Sequence, residues 1–430
     1  MDLAPLVNKT VDFAYRGARL SFDLSHALFS SFAIDTGTRF LLKEIAHDET
    51  ITEARLLLDT GCGAGIIGIS MAASCPDTTV VMQDRDLLAC AFTERNCWKN
   101  GLPNRRFGLG GEERAPIGKV PANKKASASR PGAIFIEPGL LGQGDSRAPY
   151  DAILSNLPAK AGTTILSKFI QLCGSSLLAP GGKLAFVIVN TLAVLADGWC
   201  ESSGLALEKR VAGKGHTVFI LRKPEISAAG RDQSLPSFDI YHRTKSNRAL
   251  GRYSTIVNGY WGLPEFDTNG FDSELAIVGL EKACAGSLMR NILVFEPGIG
   301  LAARWACRAF GAGTVHVLSR DMLSIAATRE NIAVDKGKAP GFEALDWLDS
   351  DLIPPASMDA VIWFPVEIPE YDFISPAWNT MLSATKKGGG VIIVASSGTI
   401  ARFEKTKPAG MRKLGEKKKK GFTLFMAVRE

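Results

Sequence analysis

The sequence offers nothing that a structural zinc site needs. Its five histidines and eight cysteines include no C-x-x-C pair and no cysteine–histidine set at metal-ligand spacing, so reduced thiols are expected and a metal is not. Long apolar runs are missing too: the longest, Leu184 to Ala196, is broken by Asn190-Thr191, which argues against a membrane span. Met1 to Thr10 lack the basic-then-apolar order of a secretory signal, and a cytoplasmic protein is the expectation. Nor is there a one-sided charge. The net +6 is spread evenly, with 25 basic and 22 acidic residues up to Glu225 and the same numbers beyond it. Attraction to nucleic acid then has to come from local patches. At 430 residues the chain exceeds what one core ordinarily serves, and two domains are expected.

What is present is a glycine turn in a telling place. Leu56-Leu57-Leu58 reads as the end of a buried strand, Asp59 follows at its carboxyl edge, and Gly61, Gly63 and Gly65 let the backbone approach a ligand closely. Ile66 to Ser74 then carries helical spacing that Cys75-Pro76 stops. A strand, a glycine turn and a helix amino-terminus bind the polar part of a nucleotide-like cofactor, because N–H groups converge where the helix begins. Asp84 ends the next apolar strand, 19 residues past Gly65, where an acid can hold ribose hydroxyls.

Two cofactor classes compete for this turn. Gly63-Ala64-Gly65-Ile66-Ile67-Gly68 satisfies the dinucleotide pattern G-x-G-x-x-G, a weak signal alone. Asp59 extends it to D-x-G-x-G-x-G, which resembles motif I of class I S-adenosylmethionine (SAM) methyltransferases. That resemblance implies SAM as the cofactor, with Asp59 facing its methionine end.

The second half repeats the first. Glu296 stands 237 residues after Asp59 and Asp321 the same distance after Asp84. Further on, Asp359-Ala360-Val361 follows Asp151-Ala152-Ile153 by 208, Gly388-Gly389 follows Gly181-Gly182 by 207, and Thr423 follows Thr217 by 206. The drop matches the length of a segment that only the first half has, Asn104 to Gly132. It is rich in Gly, Pro, Ala and Ser and carries Arg105, Arg106, Arg114, Lys119, Lys124, Lys125 and Arg130, and an exposed, mobile insertion is expected. The chain thus reads as two α/β units joined near Pro224 to Ser237. Each finishes with a Gly-Gly strand, a helix and two strands joined by a polar turn, which suits an antiparallel edge hairpin. That ending resembles class I methyltransferases, not the all-parallel dinucleotide fold, so the expectation is two tandem Rossmann-like domains with mostly parallel sheets.

Asp151 to Lys160 brings the reaction into view. Loops after the first and fourth strands of such a sheet face one crevice, and Asn156-Leu157-Pro158 follows the fourth. The segment resembles the Asn-Pro-Pro-aromatic motif of amino-group methyltransferases. Together with Phe29 to Thr38 and the duplication, it is similar to the methyltransferase small-domain family, including tandem-domain rRNA guanine-N2 methyltransferases. The resemblance implies a SAM site built from Thr38, Asp59, Gly61, Gly63, Gly65, Asp84 and Asn156, with Asn156, Leu157 and Pro158 at the reacting amine. Leu157 replaces the family's first proline and Ala159 its aromatic. Phe29 or Phe32 is a candidate substitute for that ring, against the commoner role of such residues in the core.

In the second copy, Ala302 is read opposite Gly65, Phe364 opposite Asn156 and Val366 opposite Pro158. Residues 1–224 are therefore expected to be catalytic and 238–430 a degenerate copy. RNA is the expected substrate, met through segments 105–130 and 405–420, the second read as a lysine-rich loop. Two other readings stay open: a methyltransferase of a small metabolite or protein side chain, and a silent SAM- or RNA-binding scaffold.

Overall fold

A computed structural model describes residues 2–29, 31–117, 131–144, 146–225, 238–285, 289–333 and 339–430. The chain divides into two compact units, Met1–Tyr241 and His242–Glu430. The expected linker lies mostly outside the described residues.

The first unit opens with a hairpin of β1 (Lys9–Tyr15) and β2 (Ala18–Leu24), whose turn residues Arg16 and Gly17 both have positive φ, as a tight two-residue turn between twisted strands requires. There follow α1 (Thr36–Ile45), α2 (Glu49–Thr52), β3 (Leu56–Thr60), α3 (Ile66–Ser74), β4 (Thr79–Asp84), α4 (Leu87–Lys99), β5 (Arg105–Phe107), β6 (Glu113–Arg114), β7 (Ile134–Pro138) and β8 (Tyr150–Asn156). The unit closes with α5 (Thr163–Leu172), β9 (Leu178–Val189), α6 (Asn190–Glu201), β10 (Ala206–Ala212) and β11 (His216–Arg222).

Nine strands form one sheet in the order β10-β11-β9-β8-β3-β4-β7-β5-β6. From β9 to β5 all pairs are parallel, and β11 runs antiparallel to both neighbours. Helices cover both faces of a parallel sheet, so its central strands read as continuous apolar runs: Leu57, Val80, Val81 and Ile153 are fully buried. From β3 the chain order runs to β4 on one side and β8 on the other, which opens a crevice at their carboxyl ends.

The expected mobile insertion is in part regular structure. Arg105–Phe107 pairs with β7 and with Glu113–Arg114. Arg106 is 5% exposed and donates from Nε to Glu94, 3.0 Å away and itself 1% exposed. Burial pushes the Glu94 carboxyl up against the pull of Arg106. Arg105 pairs with Glu113 and Arg114 with Glu112. Lys119, Lys124, Lys125 and Arg130 lie outside the described residues. Glu94→Ala removes one side of this buried ion pair, and we expect it to cost about 3–5 kcal/mol in denaturant unfolding.

The second unit has the same plan. It runs β12 (His242–Leu250), β13 (Tyr253–Tyr260), α7 (Phe271–Ala283), β14 (Asn291–Phe295), α8 (Leu301–Phe310), β15 (Thr314–Ser319), α9 (Met322–Ala333), β16 (Gly341–Asp346), β17 (Met358–Trp363), α10 (Ile374–Ala384), β18 (Thr385–Ser396), α11 (Ser397–Lys405), β19 (Met411–Lys419) and β20 (Phe422–Arg429). A first hairpin again stands apart from a sheet, here β16-β15-β14-β17-β18-β20-β19.

The repeat is real, but its register around the glycine turn is 235, not 237. Gly65 and Gly300 each precede the helix in the left-handed conformation. The N–H of Gly61 reaches the Gln83 carbonyl as that of Glu296 reaches Leu318. Asn96 and Asn331 donate to the Ala64 and Ile299 carbonyls. Gly300, not Ala302, is therefore the counterpart of Gly65. Glu296 replaces Gly61, Val294 replaces Asp59, and Ser319 replaces Asp84.

The lysine-rich segment is also more ordered than a loop. Lys417 to Lys419 lie in the edge strand β19, opposite Leu424, Thr423 and Phe422.

Candidate active site

Asp59 is the penultimate residue of β3 and is fully buried; its Oδ2 accepts from the Gly68 N–H inside α3 at 2.7 Å. Its Oδ1 has no partner, and burial pushes the carboxyl up to about 7, with the neighbouring Asp84 charge adding to the rise. It is a strut under the helix amino-terminus. Gly61, Gly63 and Gly65 all have positive φ, and a Cβ at Gly61 or Gly63 meets only open space. Gly65 is tight, with Ile69 and Thr93 about it. Gly63 donates to Asp84 Oδ2 at 2.8 Å, while Asp84 Oδ1 accepts from Asp86 N. The half-buried Asp84 carboxylate thus ties the glycine turn to the start of α4. The N–H groups of Ala64, Ile66 and Ile67 have no acceptor among the described residues, and they head α3 beside this acid.

Asn156, the last residue of β8, is fixed by contacts that the sequence did not announce. Its Nδ2 donates to Asp35 Oδ2 at 2.9 Å and to Thr38 Oγ1 at 3.0 Å. Both amide hydrogens are thereby used, which sets the side-chain flip from the network and leaves Oδ1 as an unengaged acceptor. Asp35 is the amino-terminal cap of α1, and the same Oδ2 accepts from Thr38 N. The signal for it was available: an Asp one residue before a helical run is a strong cap.

The Leu157 side chain is buried and its N–H goes to the Val187 carbonyl. Its own carbonyl accepts nothing among the described residues. Pro158, Ala159 and Lys160 are exposed, so no aromatic ring follows Asn156. Phe29 and Phe32 are not core residues: they are 73% and 64% exposed.

The matching region of the second unit is differently furnished. Glu296 accepts from Ser319 Oγ at 2.6 Å and from Arg320 N at 3.0 Å, so its carboxylate spends itself inside the turn. Glu265 accepts from Gly270 N at 2.7 Å, and its Oε2 stands 3.6 Å from where a Cβ at Gly298 would be. The first unit leaves the corresponding space at Gly63 open.

Residues 19–109 match the family model described as the methyltransferase small domain. The matched stretch contains Thr38, Asp59, the three glycines and Asp84, and ends before Asn156. A Ribosomal RNA small subunit methyltransferase C of Hahella chejuensis is 29% identical over 164 residues, 37% of this chain and 37% of its own length. A Ribosomal RNA large subunit methyltransferase G of Aeromonas salmonicida is 33% identical over 87 residues, 19% of this chain and 22% of its own. The chain thus spans well under half of these relatives. In fold it is similar over 99% of both chains to a T. thermophilus 16S rRNA methyltransferase, RsmC, solved with AdoMet and guanosine, at a TM-score of 0.62 and 15% identity. No helix among the described residues is long and apolar enough to cross a membrane.

Proposed function

We propose that the chain is a SAM-dependent N-methyltransferase acting on an exocyclic amine in RNA, with guanine N2 of rRNA favoured, and that the first half does the chemistry. The observation that carries this reading is the locked amide of Asn156, whose free Oδ1 can accept only from a donor in the crevice.

The residues of the turn suit SAM. Gly61 and Gly63 leave room beside the backbone, the Asp84 carboxylate lies at the rim of the turn where ribose hydroxyls would come, and N–H groups with no acceptor among the described residues head α3. Bound there, SAM supplies a methyl group on a sulfonium, a good leaving group. An exocyclic amine on an aromatic ring is a weak nucleophile because its lone pair is delocalised into the ring. Asn156 Oδ1 and the Leu157 carbonyl would accept its two N–H hydrogens and turn the lone pair toward the methyl carbon. Were the methyl group transferred, its bond to sulfur would break as the N–C bond formed and the nitrogen's proton would pass to water, so no dedicated base among these residues is required.

Asp59 acts in this account by holding the amino-terminus of α3. The second unit, with Val294, Glu296 and Ser319 at the cofactor positions and Phe364 opposite Asn156, supports rather than catalyses. Ala159 gives weight to a second reading, a small-metabolite or side-chain substrate that needs no stacking ring. Mass spectrometry of RNA nucleosides and metabolites from a deletion strain and its parent separates the two: a lost N-methylated purine supports the first, and intact RNA with a lost small product the second.

The relatives' rRNA names and the cationic edge strand favour RNA. Lys419 is paired with Glu274, and Lys413 with Glu404 and Glu416, whereas Lys417, Lys418 and Lys420 have no acidic partner among the described residues. Replacing these three with glutamine is expected to flatten the log–log salt dependence of RNA binding by about 2, measured by filter binding across salt. Adding Lys419→Gln should change little more.

A further inference from the structure

Of the 22 phenylalanines, the two most exposed among the described residues are Phe29 and Phe32, three positions apart in the stretch between β2 and α1. Their backbone is tied down around them. Asn8 Nδ2 donates to the Ser31 carbonyl at 2.8 Å, Arg39 Nε to the Ile34 carbonyl, and Ile34 is 3% exposed. The His26 ring meets Phe32 edge-on at 5.0 Å. Two large apolar rings are therefore held out in water on an anchored segment. Three residues after Phe32 comes Asp35, whose carboxylate touches Asn156, which keeps Phe32 within about 10 Å of that contact along the chain.

The second unit shows what this segment does without such a task. There Arg248 binds the Glu265 and Phe266 carbonyls, and the Arg243 guanidinium lies 4.2 Å from the Trp261 ring and 3.9 Å from the Phe266 ring. Its aromatic faces are used internally. In the first unit they are left open, while Ala159 withholds the ring expected beside Asn156. Exposed cations also stand near the site residues in sequence: Lys160 is four residues after Asn156, and Lys214 two residues before His216, whose ring approaches Thr36 and Gly37 at the head of α1. Neither lysine has an acidic partner among the described residues. Exposed flat rings on a segment bonded to Asn156, with exposed lysines on the neighbouring loops, suit an unstacked base and its phosphates.

We infer that Phe29 and Phe32 are the stacking platform for an unpaired nucleobase that presents its amine to Asn156, in place of the ring that Ala159 lacks. This rests on the methyltransferase reading proposed above.

The test uses the full chain and a single-stranded oligoribonucleotide carrying one 2-aminopurine, whose fluorescence falls when it stacks. The double variant Phe29→Leu/Phe32→Leu keeps apolar bulk at exposed positions and so spares the fold. It is expected to bind about tenfold or more weakly and to lose the quenching. Its salt slope should stay unchanged, because no phosphate contact is removed. Phe29→Tyr/Phe32→Tyr should bind within about twofold of the parent, since a ring face is retained. Parent-like affinity and quenching in the leucine variant, or no quenching with the parent chain, overturns the platform. SAM titration of the same samples keeps the two ideas apart. A parent that binds no SAM sinks the methyltransferase reading, whereas normal SAM binding with indifferent phenylalanines sinks only the platform.

Discussion

Asn156→Ala is expected to lower kcat by about 10²–10³-fold, the usual loss when one preorganised polar group at a reacting centre is removed, with SAM affinity nearly unchanged. The Oδ1 acceptor acts mainly as the amine attacks, so the loss should fall on kcat more than on KM. The orientation of that acceptor depends on Asp35 and Thr38, which take both amide hydrogens. Asp35→Ser separates capping from orientation: serine caps a helix about as well as aspartate, but its shorter side chain cannot span the 2.9 Å contact to Asn156. Stability should hold while kcat falls. Asp35→Asn, which can offer an oxygen to both donors, should restore most of the rate. Single-turnover methyl transfer with each variant reads this out, and normal turnover in Asn156→Ala would reduce Asn156 to a turn residue.

The second large effect is on cofactor stoichiometry. Calorimetry is expected to find one strong SAM site per chain and to lose it in Gly63→Val or Asp84→Ala. Gly63 has φ +57 and faces open space, so a β-branched side chain there is strained and also projects into the cofactor's room. Asp84 receives the Gly63 N–H and so fixes the turn against which the cofactor is proposed to lie. No such set exists among the described residues of the second unit. Val294 cannot hold a helix terminus as Asp59 does, Glu296 folds its carboxylate onto Ser319 and Arg320, and Glu265 stands by Gly298. Two equal sites would contradict the division of labour.

Much of this was legible in the chain, because strands buried on both faces are continuous apolar runs and the glycine turn is short and local. Leu56 to Ser74 could be read nearly residue by residue, and the edge hairpin followed from the polar turn before His216. The repeat was legible in kind but slipped by two residues, since an acid flanking a glycine turn looks alike at Asp59 and at Glu296. The hydrogen bonds of Gly61 and Glu296, like those of Asn96 and Asn331, show that the two acids sit on different steps of the turn. Arg106 looked like one more surface cation because its partner, Glu94, is on a different element. Phe29 and Phe32 are apolar, and composition alone sends apolar rings inward. Asp35 escaped notice because its contact with Asn156 joins residues 121 positions apart, beyond the reach of any local pattern.

The most direct test supplies the purified full chain with methyl-labelled SAM and RNA from a strain lacking the protein, then identifies the labelled nucleoside. The account predicts label in an N-methylated purine, guanine N2 favoured, and none when Asn156→Ala replaces the parent chain. Label in a small molecule or a protein, or RNA labelled equally by the Asn156→Ala chain, would contradict it.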